Sequence, residues 1–343
     1  MIIPNKLKSQ DTVATVSISF GTANIFPSRY NAGINELKHK FGVRVKEMPN
    51  SLKPHQWLQD HPEARAQDIM KAFEDSEVKA VICNIGGNDS VRIIRYLNED
   101  IIKNNPKIFL GYSDATAIHV YLYKLGITSY YGPTIMAGFA ENGGMQKYSY
   151  ECLKQMICEE GKVKLYPNKD GWTNEFLDWG KPDNQFIKRK LIKGCEPKLL
   201  QGNKNVSGHL IGGCMESLEL LKGTPFFFRL EDFKDAILFL ELSDINLGCN
   251  YFMKCLRNYG LMGVFDQIRA LIIGRPGEFF DDMSKLDAFD EYTKRVVSVE
   301  FNHPELPIVS RMDFGHTEPM MTLPYGQVAK LDINDLSLEF ENK

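Results

Sequence analysis

Apolar, β-branched stretches alternate with helix-periodic ones through the first third of the chain. That alternation limits the folds open to it more than any other feature. TVATVSISF (12–20), VRVKEMP (43–49), VKAVICNIG (78–86) and PKIFLGY (106–112) read as strands. SRYNAGINELKHKFG (28–42), HPEARAQDIMKAFED (61–75), DSVRIIRYLNED (89–100) and ATAIHVYLYKLG (115–126) read as helices. The pattern predicts a parallel sheet covered by helices. In open sheets of this type ligands sit at the carboxyl ends of the strands. Two short loops fall at that edge, IGGND (85–89) and GYSD (111–114).

The pattern changes after residue 140. Residues 141–205 gather Gly, Pro, polar residues and two tryptophans, Trp172 and Trp179. This stretch reads as a linker with an excursion over the surface. From 206 onward VSGHLIGGCMESLELLKGTPF, the strands AILFLEL (236–242) and IRALIIGRP (268–276), and helices near 249–260 and 286–299 outline a second α/β domain. The expected organisation is therefore 1–140, 141–205 and 206–343. A length of 343 residues suits two domains rather than one core.

Composition excludes several classes. A net charge of −3 gives no strong pull toward nucleic acid or anionic membrane. No apolar run is long enough to span a bilayer, and the opening MIIPNKLKSQD lacks the apolar stretch of a secretion signal. The seven cysteines, at 83, 152, 158, 195, 214, 249 and 255, contain no CxxC pair. They read as reduced thiols of a cytoplasmic protein, with no metal site and no cofactor expected. The basic run IKRKLIK (187–193) reads as a solvated strand or loop.

Ser113 sits where a strand turns sharply into a helix. There a side chain is held above the sheet edge, and the first N–H groups of the helix point into the same space, which suits an oxyanion. Ser and Asp are also common helix caps, so capping by Ser113 or Asp114 is the competing reading. The pattern is not GxSxG. IGGND is neither GxGxxG nor a phosphate-binding P-loop, so it is an ordinary turn or a source of a second oxyanion donor. A serine nucleophile needs a base and a group to orient it. Of the seven histidines, His316 in DFGHTEP is the one in a glycine-flanked loop after a strand, where it is either a base able to reach a cleft or a structural or simply exposed loop residue. His119, two turns into the helix after Ser113, points away from the elbow. Glu241 ends an apolar strand, where a carboxylate is either desolvated and paired or exposed to water.

Five segments together resemble the LD-carboxypeptidase family of serine peptidases, S66. They are IGGND (85–89), GYSDAT (111–116), GHLIGGCMESLELLKGTPF (208–226), AILFLE (236–241) and FGHTEPMMTLPYGQVAKLD (314–332), in that order. The resemblance spans roughly 12–135 and 205–333. It implies a Ser–Glu–His triad of Ser113, Glu241 and His316, with the backbone N–H groups of Gly87 and Asp114 as the oxyanion hole. It also implies an α/β fold, with a flavodoxin-like or class I amidotransferase-like N-terminal parallel sheet and a smaller C-terminal α/β domain. The common family assembly is a homodimer.

One branch of the family trims D-alanine from murein tetrapeptides, and the other resembles the microcin C immunity peptidases, which cleave aminoacyl-nucleotide analogues. GGNDS, in place of a GGYG-type turn, and the longer middle segment place this chain nearer the second branch. Asn88, Trp172 and Trp179 are the substrate-binding candidates, a tryptophan of that segment stacking on the nucleobase in the immunity branch; the competing reading is that both tryptophans pack the linker against a domain. The departures are LELSD in place of LED, Cys214 where Asn is usual, and YFMKCLRNYG without the family arginine. They bear on substrate recognition. The expected partner is a small peptide or aminoacyl-nucleotide, with no nucleic-acid polymer and no membrane. Two other readings remain. One is a catalytically silent binding protein for such ligands. The other is an amidotransferase-like enzyme, which would want a cysteine at the elbow, whereas Cys83 lies inside a strand and Cys214 follows a GG turn.

Overall fold

The computed structural model describes residues 1–243, 248–277 and 283–342. Asp244, in the LELSD departure, and the side chain of Cys249 lie outside the described residues. Fourteen strands are seen among those residues. They are β1 Thr12–Val16, β2 Arg44–Glu47, β3 Val78–Cys83, β4 Ile108–Gly111, β5 Ser129–Tyr131, β6 Gly161–Leu165, β7 Lys198–Gln201 and β8 Val206–Cys214. The remainder are β9 Ala236–Glu241, β10 Ala270–Gly274, β11 Ile308–Met312, β12 Leu323–Tyr325, β13 Val328–Asp332 and β14 Ser337–Asn342.

The first sheet runs β12-β5-β4-β3-β1-β2. Its five N-terminal strands are parallel, and their spatial order 2-1-3-4-5 is the flavodoxin-like one. β3 and β4 are buried almost throughout, as expected of strands covered on both faces. The helix Pro27–Phe41 starts with proline at its first position and stops at Gly42 in the left-handed conformation. DSVRIIRYLNED is not one helix. Ser90–Tyr96 is a 3₁₀ turn, and an α-helix restarts at Glu99 because the Asn98 side chain accepts the N–H groups of Asp100 and Ile101.

The second sheet runs β6-β14-β13-β8-β9-β10-β11-β7. β8, β9, β10 and β11 are parallel, and the outer strands are antiparallel. β6 and β7 come from 141–205 and form the two edges of this sheet. β6 has its apolar Val163 and Leu165 inward and lysines outward, a pattern too short to stand out in sequence. That segment is also pinned from inside. Arg275 donates to the Cys195 carbonyl at 2.8 Å and pairs with buried Asp313 at 2.5 Å, while the Asn168 N–H donates to Asp313 at 2.8 Å.

The two halves exchange structure. β12, from the C-terminal part, pairs antiparallel with β5 of the first sheet, setting Leu323 opposite Tyr131. One large apolar core runs through both sheets. No helix among the described residues is long and apolar enough to cross a membrane.

Candidate active site

Ser113 follows the carboxyl end of β4, Glu241 closes β9, and His316 lies four residues beyond β11. The carboxyl ends of both parallel sets therefore meet at one place. Ser113 has a positive φ of 62°, a left-handed conformation costing on the order of 1 kcal/mol for a non-glycine residue. The turn lifts its Oγ to 3.0 Å from His316 Nε2. His316 Nδ1 is 2.7 Å from Glu241 Oε2. Glu241 is completely buried, and its other oxygen, Oε1, accepts from the Tyr131 hydroxyl at 2.5 Å. With Nδ1–H donated to a carboxylate, Nε2 is left as the acceptor facing the serine.

The capping reading of GYSD does not hold. The Asp114 side chain accepts the N–H groups of Asp89 at 3.1 Å and Ser90 at 2.9 Å, and Ser90 Oγ donates to the Asp114 carbonyl at 2.6 Å. Asp114 thus ties the elbow to the glycine turn rather than to the following helix. Burial raises its carboxyl above the usual carboxylate range.

The glycine turn lies against the serine. A Cβ on Gly86 would sit 3.1 Å from Ser113 Cβ and 3.3 Å from the Asp114 nitrogen. Gly87 has φ +148°, and a Cβ there would come within 2.2 Å of Ser19 Oγ, so no larger residue fits. Ser19 Oγ accepts the N–H groups of Asn88 and Asp89 at 3.1 and 3.2 Å and donates to Asp89 Oδ1 at 2.9 Å. Buried Arg65 forks onto Asp89 at 2.7 and 3.1 Å, and the ionised form of Asp89 is favoured despite its desolvation by the bonds to Arg65, Ser19 and Arg92. The glycine turn beside the serine is thereby braced by Ser19, Asp89 and Arg65.

A cleft of about 620 Å³ opens over His316. Tyr112, Arg29, Glu141, Trp179, Arg189 and Glu318 are among the residues that line it. Of the three substrate-binding candidates, Trp179 alone is on this wall. Its ring lies 4.1 Å from the Arg29 guanidinium and edge-on to Phe26. Trp172 is buried with Cys195, Leu286 and Ile192 and helps fix the segment. Asn88 is exposed and does not line the cleft. Arg189 belongs to the run IKRKLIK, yet it is not solvated: it forks onto the buried Glu141 carboxylate, Nε to Oε1 at 2.7 Å. Glu318 is buried beside this pair, and burial together with Glu141 raises its carboxyl well above the usual range.

His119 does turn from the serine, with its ring nitrogens 2.7 Å from Ser129 Oγ and 2.9 Å from the Gly111 carbonyl. Burial pushes its imidazole down to about 4. Among the described residues no group of three or more His, Cys, Asp or Glu could hold a metal ion.

Sequence reasoning missed Ser19, Tyr131, Arg29, Arg189 and Glu318. The one local signal was SYYGP, a strand end with two buried tyrosines; the others depend on contacts across tens of residues.

Comparison with known proteins agrees with this architecture. The LD-carboxypeptidase N-terminal domain model matches residues 13–132, and the C-terminal domain model matches 207–331. The Escherichia coli microcin C7 self-immunity protein MccF is 26% identical over 337 residues, covering 97% of this chain and 92% of that protein. A Bacillus subtilis protein named "Probable murein peptide carboxypeptidase" is 27% identical over 241 residues, covering 69% of this chain and 64% of that one. The crystal structure of an MccF-like protein from Streptococcus pneumoniae in complex with AMP superposes with a TM-score of 0.85 at 30% identity, covering 97% of this chain and 99% of that one. An MccF-like protein from Bacillus anthracis gives 0.86 at 26% identity, with both chains fully covered. These relatives support a hydrolase. The chain belongs to the LD-carboxypeptidase family, peptidase family S66.

Proposed function

We propose that this protein is a serine peptidase that hydrolyses an amide bond with Ser113, Glu241 and His316, and that its substrates are aminoacyl-nucleotide analogues. The observation that carries the chemistry is the chain of contacts from Ser113 Oγ to His316 Nε2 at 3.0 Å and from His316 Nδ1 to Glu241 Oε2 at 2.7 Å, at the edge of an open cleft.

His316 takes the serine proton as Ser113 attacks the carbonyl. Glu241 holds the imidazole in the required tautomer and stabilises the imidazolium. The N–H groups of Gly87 and Asp114 receive the oxyanion, each worth about 3 kcal/mol. The imidazolium then protonates the leaving amine, and water hydrolyses the acyl-enzyme. Trp179 supports the substrate class, because an indole on the cleft wall beside a guanidinium offers a flat face to a nucleobase. The names of the relatives support it too, one an immunity protein and one solved with AMP. The compartment consistent with six free cysteines among the described residues is the cytoplasm, and the assembly expected for the family is a homodimer.

The second reading, a murein tetrapeptide LD-carboxypeptidase, is favoured by the name of the Bacillus subtilis relative. Mass spectrometry of products separates the readings. Wild type and Ser113→Ala are incubated with aspartyl sulfamoyl adenosine and with L-Ala-γ-D-Glu-meso-A2pm-D-Ala. Release of aspartate by wild type alone supports the proposal. Release of D-alanine alone moves the protein to the murein branch. No cleavage of either leaves a binding protein.

A further inference from the structure

Tyr131 lies at the end of β5, where that strand is joined by β12 from the other half of the chain. Its ring is fixed on several sides, 5.3 Å from Phe239, 5.5 Å from His119 and 6.4 Å from Tyr112 between centroids. One hydroxyl serves two masters. It accepts the Ser113 N–H at 3.0 Å and donates to Glu241 Oε1 at 2.5 Å. The direction is settled by chemistry, since a backbone N–H can only donate and a carboxylate oxygen can only accept. Burial and the neighbouring Glu241 keep the phenol protonated far above the usual range.

We infer that Tyr131 is a positioning residue for the proposed reaction, its hydroxyl holding the nucleophile's backbone and the triad carboxylate in register across the boundary between the two halves. This rests on the triad reading above. The two Glu241 oxygens have separate duties: Oε2 orients His316, and Oε1 is occupied by Tyr131. Without the hydroxyl, the carboxylate loses one of its two side-chain donors, and Ser113 loses the anchor of a strained turn. A carboxylate relieved of a donor is the stronger base. The Glu241–His316 pair then takes up a proton more readily, and the acid limb of the pH profile moves to higher pH. Among the described residues the other titratable groups around the pair are Cys214 from the end of β8, Tyr112 from the elbow and, behind Tyr131, His119, all kept neutral by burial. Beyond Tyr112 stand Glu318, Arg189 and Arg29, and beyond Cys214 stands Glu216.

The test is the rate of covalent labelling by a fluorophosphonate, followed by intact-protein mass from pH 5 to 9, which needs no knowledge of the natural substrate. For Tyr131→Phe the expected result is a labelling rate about 10- to 100-fold lower and an acid limb shifted upward. Replacing Tyr131 alone with 3-fluorotyrosine, a stronger donor, should shift the limb downward with the fold unaltered, and this arm stands if Tyr131→Phe does not fold. A purely structural role would lower the rate and leave the limb in place. Unchanged limbs in both variants, with Ser113 still labelled, overturn the inference alone. Absence of labelling in wild type, or equal labelling in Ser113→Ala, overturns the serine-peptidase reading and the inference with it.

Discussion

Replacing Glu241 with glutamine alters one atom and removes one charge, and its cost can be worked from the contacts. Glu241 accepts two donors, His316 Nδ1–H on Oε2 and Tyr131 O–H on Oε1. A glutamine has one carbonyl oxygen, so it can accept only one of them. If the amide oxygen stays with His316, its NH₂ faces the Tyr131 hydroxyl, whose proton then has no acceptor. If the amide flips, NH₂ faces Nδ1, and the imidazole must move its proton to Nε2, the atom that should receive the serine proton. The first arrangement strands a buried polar group, at about 1–3 kcal/mol of stability. The second removes the base. In both, the imidazolium formed during attack loses its counter-charge in a site with no exposure at Glu241. Loss of the triad acid by an amide replacement in other serine peptidases lowers kcat by about 10⁴. Glu241→Gln should therefore lower kcat by roughly 10³–10⁴ with KM changed less than about threefold, measured by product mass spectrometry on the substrate that wild type cleaves. Urea unfolding should show a loss of about 1–3 kcal/mol. A Glu241→Gln enzyme retaining more than a tenth of wild-type kcat would refute the assignment of Glu241 as the orienting acid.

Three further outcomes are expected. Gly87→Ala places a methyl on Ser19 Oγ and forces a β-carbon into φ +148°, so labelling of Ser113 should fall about 100-fold with circular dichroism unchanged. Trp179→Ala should weaken AMP binding by about 1–3 kcal/mol in calorimetry, whereas Trp172→Ala, at 2% exposure, should cost about 3–5 kcal/mol of stability and move AMP affinity little. His119 titrates at about 4 in the folded protein against an ordinary 6.5. The unfolded chain therefore binds this proton first as pH falls. Its contribution is whole above about pH 6.5 and is lost progressively toward pH 4, by about 3 kcal/mol. His119→Asn should flatten that part of the stability profile in urea unfolding.

The parallel sheet was legible because its strands are continuous apolar runs bounded by glycine turns. The Ser113–Glu241–His316 contacts were anticipated through the resemblance of five ordered segments to one family; the local pattern placed each residue at a strand end or in a glycine-flanked loop and left capping and simple exposure open. Other features rest on pairings far apart in the chain. Ser19 braces Asp89 from 70 residues away, and Arg189 meets Glu141 across 48. β12 joins the first sheet from the last tenth of the sequence as a three-residue strand, too short for any periodicity to register. Tyr131 was hidden by being one of two adjacent buried tyrosines, of which only it reaches the carboxylate. The middle segment misled by its composition. Its irregular, polar character is real, but the exposed-looking run at 187–193 inserts an arginine into the cleft, and Trp172 turns inward while Trp179 lines the cleft.

The central claim is a covalent acyl-enzyme on Ser113. Its most direct test is partition of the acyl group between water and hydroxylamine, for two substrates that share an acyl group and differ in leaving group. A common acyl-enzyme predicts the same hydroxamate-to-acid ratio for both, and no product of either kind from Ser113→Ala. A ratio that changes with the leaving group, or turnover that persists without Ser113, would mean that water attacks the substrate directly and that the serine is not the nucleophile.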